Sequence, residues 1–261
     1  MRIGLVLSGG GARGIAHIGV IKALNENGIN ISEISGTSSG AVIGALYAGG
    51  YSWEEIFAFF KTLPIFHYKN YARNKPGFID SIKFYDDFKE FFPEDSFKAL
   101  KKKLYISTTN VFEGTLKIFS KGELIRPILA SASFPGVFTP ITIDKTDYID
   151  GGILNNFPVE TLRSSCEKII GVYVNPLQSI NRESLKHSYQ VLNRAYQISF
   201  GSQCISKFPL CDIIISPDEL KNYGIFDLRT MDAIFNIGYE AASKIIEANK
   251  VINLSNNSNP I

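Results

Sequence analysis

The chain has 261 residues, 45% of them hydrophobic, and a formal net charge of +2, which suits one large core and gives no reason to expect a nucleic-acid partner. Cys166, Cys204 and Cys211 are odd in number and irregularly spaced, so neither a disulfide framework nor a structural zinc site is expected. No run reaches about 18 apolar residues, and the short apolar stretch behind Arg2 is too brief for a secretory leader. These features predict a soluble, cytoplasmic protein of the α/β type.

Residues 2–7 read as a buried strand ended by glycines. Ile15, Ile18, Ile21 and Leu24 then recur at helical spacing, and Asn27-Gly28 stops that helix. Residues 31–35 predict a second strand and residues 39–48 a small-residue helix, so the first two strands should be parallel with a right-handed crossover. Ser52-Trp53-Glu54-Glu55 has capping-box form and opens a helix to about Leu63. The stretch from Tyr51 to Phe92 is dense in aromatics, suited to a core or to an acyl-chain site. Lys101-Lys102-Lys103 fits either a solvated turn or contact with an anionic membrane.

Residues 104–110 and 116–120 predict strands joined by a turn at Glu113-Gly114. A helix should run from about Gly122 to before Pro135, and a short strand should end at Asp150. Residues 168–174 predict a parallel-type strand and residues 183–205 a long amphipathic helix. Residues 211–216 predict a last strand, and residues 230–249 a final helix. One domain thus covers residues 1–250, with the Asn/Ser-rich residues 251–261 as a frayed tail.

Two loops carry chemistry. In LVLSGGGARG, residues 5–14, a strand breaks into bare backbone and then a helix, a natural anion site. A nucleotide phosphate loop would need Lys after Gly14, where Ile15 stands. Residues 9–14 do fit G-x-G-x-x-G, but the next strand offers only Glu33 as a ribose partner. The second loop, Gly36-Thr37-Ser38-Ser39-Gly40, has the G-x-S-x-G form of a nucleophile elbow between a strand and a helix. Ser38 is favoured over Ser39 because Gly36 and Gly40 flank it on both sides. Loops leaving adjacent parallel strands lie side by side, which puts Gly9, Gly10 and Gly11 next to Ser38. The anion then expected is a tetrahedral acyl intermediate in an oxyanion hole.

Two groups compete to be the base. Asp150-Gly151-Gly152 ends a predicted strand, where partial burial would lift an aspartate from about 3.9 towards a useful range. His187 follows Ser38 and Asp150 in the order of an α/β-hydrolase triad, whereas His17 and His67 read as packing or surface residues.

Four segments together resemble the patatin-like phospholipase family. They are the G-G-G-x-[RK]-G loop at residues 9–14, the elbow at residues 36–40, A-S-x-x-x-P from Ala130 to Pro135, and D-G-G-x-x-x-N-x-P from Asp150 to Pro158. The resemblance implies a three-layer α/β/α fold with a mainly parallel central sheet and a Ser–Asp dyad without a catalytic histidine. By it, Ser38 is the nucleophile and Asp150 the base. Gly9, Gly10, Gly11, Arg13 and Gly14 form the oxyanion loop, with Arg13 holding that loop or meeting a lipid phosphate. It further implies hydrolysis of fatty-acyl esters of phospholipids or lysophospholipids, without metal or other cofactor, at a peripheral membrane contact. Competing expectations are a thioesterase using the same dyad, a nucleotide-binding regulator using the glycine loop, and a non-catalytic lipid binder.

Overall fold

The computed structural model describes residues 1–63, 67–225 and 227–256. The first half contains strand β1 (Ile3–Leu7), helix α1 (Ile15–Glu26), β2 (Ile31–Thr37), α2 (Ser39–Gly49), α3 (Trp53–Thr62) and α4 (Tyr85–Phe91). Then come β3 (Lys103–Asn110), β4 (Thr115–Phe119), α5 (Ile125–Ser131), β5 (Ile141–Ile143), β6 (Thr146–Asp150) and α6 (Gly152–Asn155). The chain continues through β7 (Lys168–Val172), α7 (Ser188–Ile205), β8 (Ile213–Ile215) and α8 (Met231–Asn256).

The five strands β3-β2-β1-β7-β8 form a parallel unit, and β4, β5 and β6 add antiparallel pairings beyond β3. Strand alternation makes the layers. Leu5 and Leu7 of β1 face a core shared with α1, α2 and α8, while Val6 between them faces a second core of Phe157, Leu162, Tyr173 and Cys204. Helices therefore cover both faces of the sheet, as a buried parallel sheet requires. The mainly parallel, three-layer α/β/α fold is the one expected.

Several boundaries differ from expectation for local reasons. The helix expected from residue 122 begins at Ile125, because Gly122 adopts a left-handed turn (φ 86°) and Pro127 is tolerated only within the first helical turn. The helix expected from residue 183 begins at Ser188. A short 3-10 turn at Arg182–Ser184 precedes it, and the Gln190 side-chain carbonyl accepts from the N–H groups of Lys186 (2.7 Å) and His187 (2.8 Å). His187 thereby stands at the N-cap of α7. β5 was not expected at all. It has only three residues and pairs with β6 across the turn at Asp144-Lys145. Helix α8 continues to Asn256, past the predicted end at residue 249, and residues 257–261 of the predicted tail lie outside the described residues.

Candidate active site

The elbow is built by close backbone approach. A Cβ on Gly36 would stand 2.6 Å from the Gly40 carbonyl oxygen, and one on Gly40 would stand 2.3 Å from that of Leu7. Only glycine fits at either place, and α2 can therefore start immediately against β1. Ser38 between them adopts φ 54° and ψ −128°, a conformation that costs a non-glycine residue of order 1–3 kcal/mol. Its N–H donates to Ser131 Oγ (2.9 Å), whose hydroxyl donates to the Ser107 carbonyl (2.7 Å). That chain of bonds holds the turn. The Ser39 hydroxyl, by contrast, is buried against Gly14 and has no hydrogen-bond partner.

The sheet brings Asp150 to Ser38. Thr108 of β3 pairs with Lys117 on one edge and with Asp150 on the other, and Ser107 pairs with Ile118 and Thr37 in the same way. β2 and β6 therefore meet head to head along one edge of β3. Ser38 leaves the end of β2 where Asp150 ends β6. The Asp150 N–H donates to the Ser133 carbonyl (3.1 Å), and its Oδ1 accepts from the Gly152 N–H (2.7 Å). No ion pair among the described residues reaches it. Burial pushes the carboxyl up to about 6, against the opposing pull of hydrogen bonds from Gly152 and Ser38.

That shift has a consequence for stability. The unfolded carboxyl titrates near 3.9, so as pH rises through the interval up to about 6 the unfolded chain loses its proton first and the native state is penalised. Asp150→Asn carries no such penalty. It should exceed the wild type in unfolding free energy by about 3 kcal/mol at pH 8 and by little near pH 4. Urea unfolding at both pH values measures this, and an equal difference at both would contradict it.

The glycine loop lies against the serine: a Cβ on Gly9 would be 3.0 Å from that of Ser38. Within the loop, Gly9 N–H donates to the Asn156 carbonyl (3.3 Å), Ala12 N–H to that of Ile225 (2.8 Å) and Arg13 N–H to that of Gly10 (3.2 Å). Gly14 closes the 3-10 turn Gly11–Gly14. The N–H groups of Gly10 and Gly11 donate to no acceptor among the described residues. Arg13 Nε donates to the Tyr223 carbonyl (2.7 Å), which ties the loop to the segment preceding α8. His17 is fully buried, its Nε2 is 2.8 Å from the Ser8 carbonyl oxygen, and burial brings its pKa down to about 4. It braces the start of the loop as a neutral ring.

Gly9, Gly10, Gly11, Arg13, Ser38 and Asp150 line one cavity of about 390 Å³. Phe60, Phe84, Phe88 and Phe138 form part of its wall, whereas Tyr51, Trp53, Phe57, Phe59 and Phe91 pack in the core. The aromatic stretch is thus divided between core and cavity wall; Phe66 lies outside the described residues. No histidine lines the cavity, and His187 stands exposed at the start of α7. Lys102 donates to the Ile31 carbonyl (2.8 Å) and Lys103 pairs with Glu33 (3.7 Å), at the end of β3 away from the cavity.

A family model described as patatin-like phospholipase matches residues 5–163. The chain belongs to the patatin-like phospholipase family. Lysophospholipase NTE1 of Debaryomyces hansenii is 33% identical over 275 residues, and that of Kluyveromyces lactis 30% identical over 278. The alignments cover 94% and 91% of this chain but 18% of each relative, so the chain spans less than a fifth of the length of these curated proteins. Among solved structures, VipD from Legionella pneumophila has a TM-score of 0.59 at 16% identity, covering 95% of this chain and 67% of that one. The type III effector protein ExoU has a TM-score of 0.50 at 16% identity, covering 95% and 53%. These likenesses are to the fold.

Within this patatin-like site, three residues were not singled out from the sequence. Ser131 belongs to the A-S-x-x-x-P segment, and Asn156 to the D-G-G-x-x-x-N-x-P segment, so both stood inside recognised motifs without an assigned task. Asn175 follows a strand with no motif around it. Asn156 Nδ2 (3.5 Å) and Asn175 Nδ2 both donate to the Gly9 carbonyl. The two side chains fix the peptide that carries the unpaired Gly10 N–H.

Proposed function

We propose that this chain hydrolyses fatty-acyl esters of lysophospholipids or phospholipids through an acyl-serine intermediate, with Ser38 as nucleophile and Asp150 as general base. The observation that carries this reading is a buried, cation-free carboxylate at the end of β6 and an elbow serine at the end of β2, lining one cavity that also presents two unpaired backbone donors. Ser38 Oγ attacks the acyl carbonyl carbon as Asp150 takes its proton. The carbonyl oxygen becomes an oxyanion facing the Gly10 and Gly11 N–H groups. Collapse breaks the ester bond, and Asp150 returns the proton to the departing alkoxide. Water then attacks the acyl-serine with Asp150 again as base. A second collapse frees the fatty acid and restores Ser38.

The substrate class is supported by the cavity wall and by the relatives. Its aromatic side suits an acyl chain, while Arg13 and Arg194 line it without forming an ion pair among the described residues. Guanidinium groups with no carboxylate partner beside an apolar pocket suit an amphiphile bearing a phosphate. The lysophospholipase names of the relatives agree with that chemistry.

A fluorophosphonate probe should label Ser38, located by peptide mapping, and Ser38→Ala should lose both labelling and hydrolysis. At equal concentration and chain length, a lysophospholipid should be cleaved faster than a monoacylglycerol or an acyl-thioester. Labelling at Ser39, or saturable nucleotide binding without any labelling, would overturn the reading.

A further inference from the structure

Helix α7 is built inside out. Its 18 residues contain one charged side chain, Arg194, and that residue turns inward to line the cavity. Val191, Leu192, Ile198 and Ile205 face outward, with relative exposures of 51%, 59%, 48% and 51%. A helix on the surface of a water-soluble protein normally shows its charged residues outward and its apolar ones inward. Among the described side chains the outer face shows these four apolar residues with Ala195, Ser199 and Ser202, and it carries no charge.

This face is continuous with the cavity. Leu177, Ile180 and Tyr196 both line the cavity and stand exposed outside it, so one apolar surface runs from the outer side of α7 over the rim and inward. The rim is basic. Residues 176–207 carry Arg182, Lys186 and Arg194 against a single acid, Glu183, while Lys207 is ion-paired with Glu160 (2.6 Å). No helix among the described residues is long and apolar enough to cross a membrane.

We propose that the outer face of α7, with the exposed residues of the preceding segment 177–186, docks on a phospholipid surface and seats the cavity mouth against it. The proposal rests on the lipid-ester reading above. A lipid surface fits better than water because an acyl chain leaving a bilayer would reach Ser38 along continuous apolar surface, with no methylene crossing solvent. It also fits the charge: Arg182 and Lys186 would meet lipid phosphates while Val191, Leu192 and Ile198 enter the interfacial region. The competing occupants are a second copy of this chain and another segment of a longer protein.

The test is sedimentation with vesicles of phosphatidylcholine containing a minor share of phosphatidylserine. The variant combines Val191→Asp, Leu192→Asp and Ile198→Asp, none of which lines the cavity. Vesicle partitioning should fall about tenfold or more, because three side chains the size of valine or leucine lose their apolar contact. Hydrolysis of a vesicle-borne lysophospholipid should fall with it, while a short-chain soluble ester is cleaved at the wild-type rate. If the triple variant fails to fold, Arg182→Glu with Lys186→Glu provides the second test, and should abolish the salt-sensitive part of binding.

Equal vesicle binding by wild type and variants would overturn the proposal, as would a wild type that does not sediment with vesicles. A wild-type dimer that the triple substitution dissolves, without vesicle binding, would assign the face to a second copy and overturn it equally. Failure of the wild type on the soluble ester would count against the catalytic reading instead, and the vesicle result would still decide the docking face.

Discussion

Asp150→Asn should lower turnover of a soluble ester by about 10²–10⁴, while His187→Ala leaves it within a few-fold. The asparagine keeps the size of the side chain and can still accept from the Gly152 N–H, so the elbow and the D-G-G turn should survive. It has lost the basic lone pair, and the Ser38 proton then has no acceptor. His187 is separated from this chemistry by its position: it is exposed, it precedes α7, and it is absent from the cavity wall. The pH dependence should follow the carboxyl. Activity should rise as Asp150 loses its proton, with a midpoint near pH 6, since burial has moved it up to about 6. In a triad both substitutions would be crippling, because an imidazole would carry the proton and the carboxylate would orient it. A folded but inactive His187→Ala protein would therefore refute the dyad.

What could be read from the sequence was what backbone crowding dictates. Gly36 and Gly40 are legible because no side chain fits against Gly40 and Leu7 at those points, so the spacing itself encodes the turn. The parallel placement of the glycine loop beside Ser38 follows from a β–α–β order that permits one handedness. The meeting of Asp150 with Ser38 is different. It depends on β6 running antiparallel along the same β3 edge as β2, beyond the point where β2 ends, and local pattern says nothing about pairing between strands so distant in sequence. The start of α7 was misplaced because the apolar periodicity continues through Leu185, while the actual boundary is set by the Gln190 side chain reaching back to two N–H groups. Cavity lining was illegible for a related reason. Phe60 and Phe84 face the cavity while Phe59 and Phe91 face the core, a choice made by tertiary packing among residues of one type.

Asn175→Ala should reduce kcat towards the loss of about 10²–10³ seen on removing one oxyanion donor, with KM little changed. The reasoning starts from a single peptide unit. The Gly9 carbonyl and the Gly10 N–H belong to one planar trans peptide and point in opposite directions. Asn175 and Asn156 hold the carbonyl, and that fixes where the N–H points. Deleting the donor itself by Gly10→Pro is a poor test, because Gly10 has φ 178° and proline requires about −65°. The anchor is the accessible handle. Without Asn175 the peptide can rotate, and a rotated peptide presents a carbonyl where the oxyanion needs a donor. Asn156 still reaches the carbonyl at 3.5 Å, so Asn175→Ala alone should fall short of the full loss and the double Asn156→Ala/Asn175→Ala variant should approach it. Asn175→Asp should be worse than Asn175→Ala, since a carboxylate repels the Gly9 carbonyl and drives the rotation. Substrate binding should persist in each, because the aromatic wall is untouched, whereas the rate of covalent fluorophosphonate capture should fall in parallel with kcat. Thermal unfolding checks that the fold is intact. A folded Asn175→Ala protein with undiminished kcat would show that the Gly9–Gly10 peptide holds its orientation without the side chain.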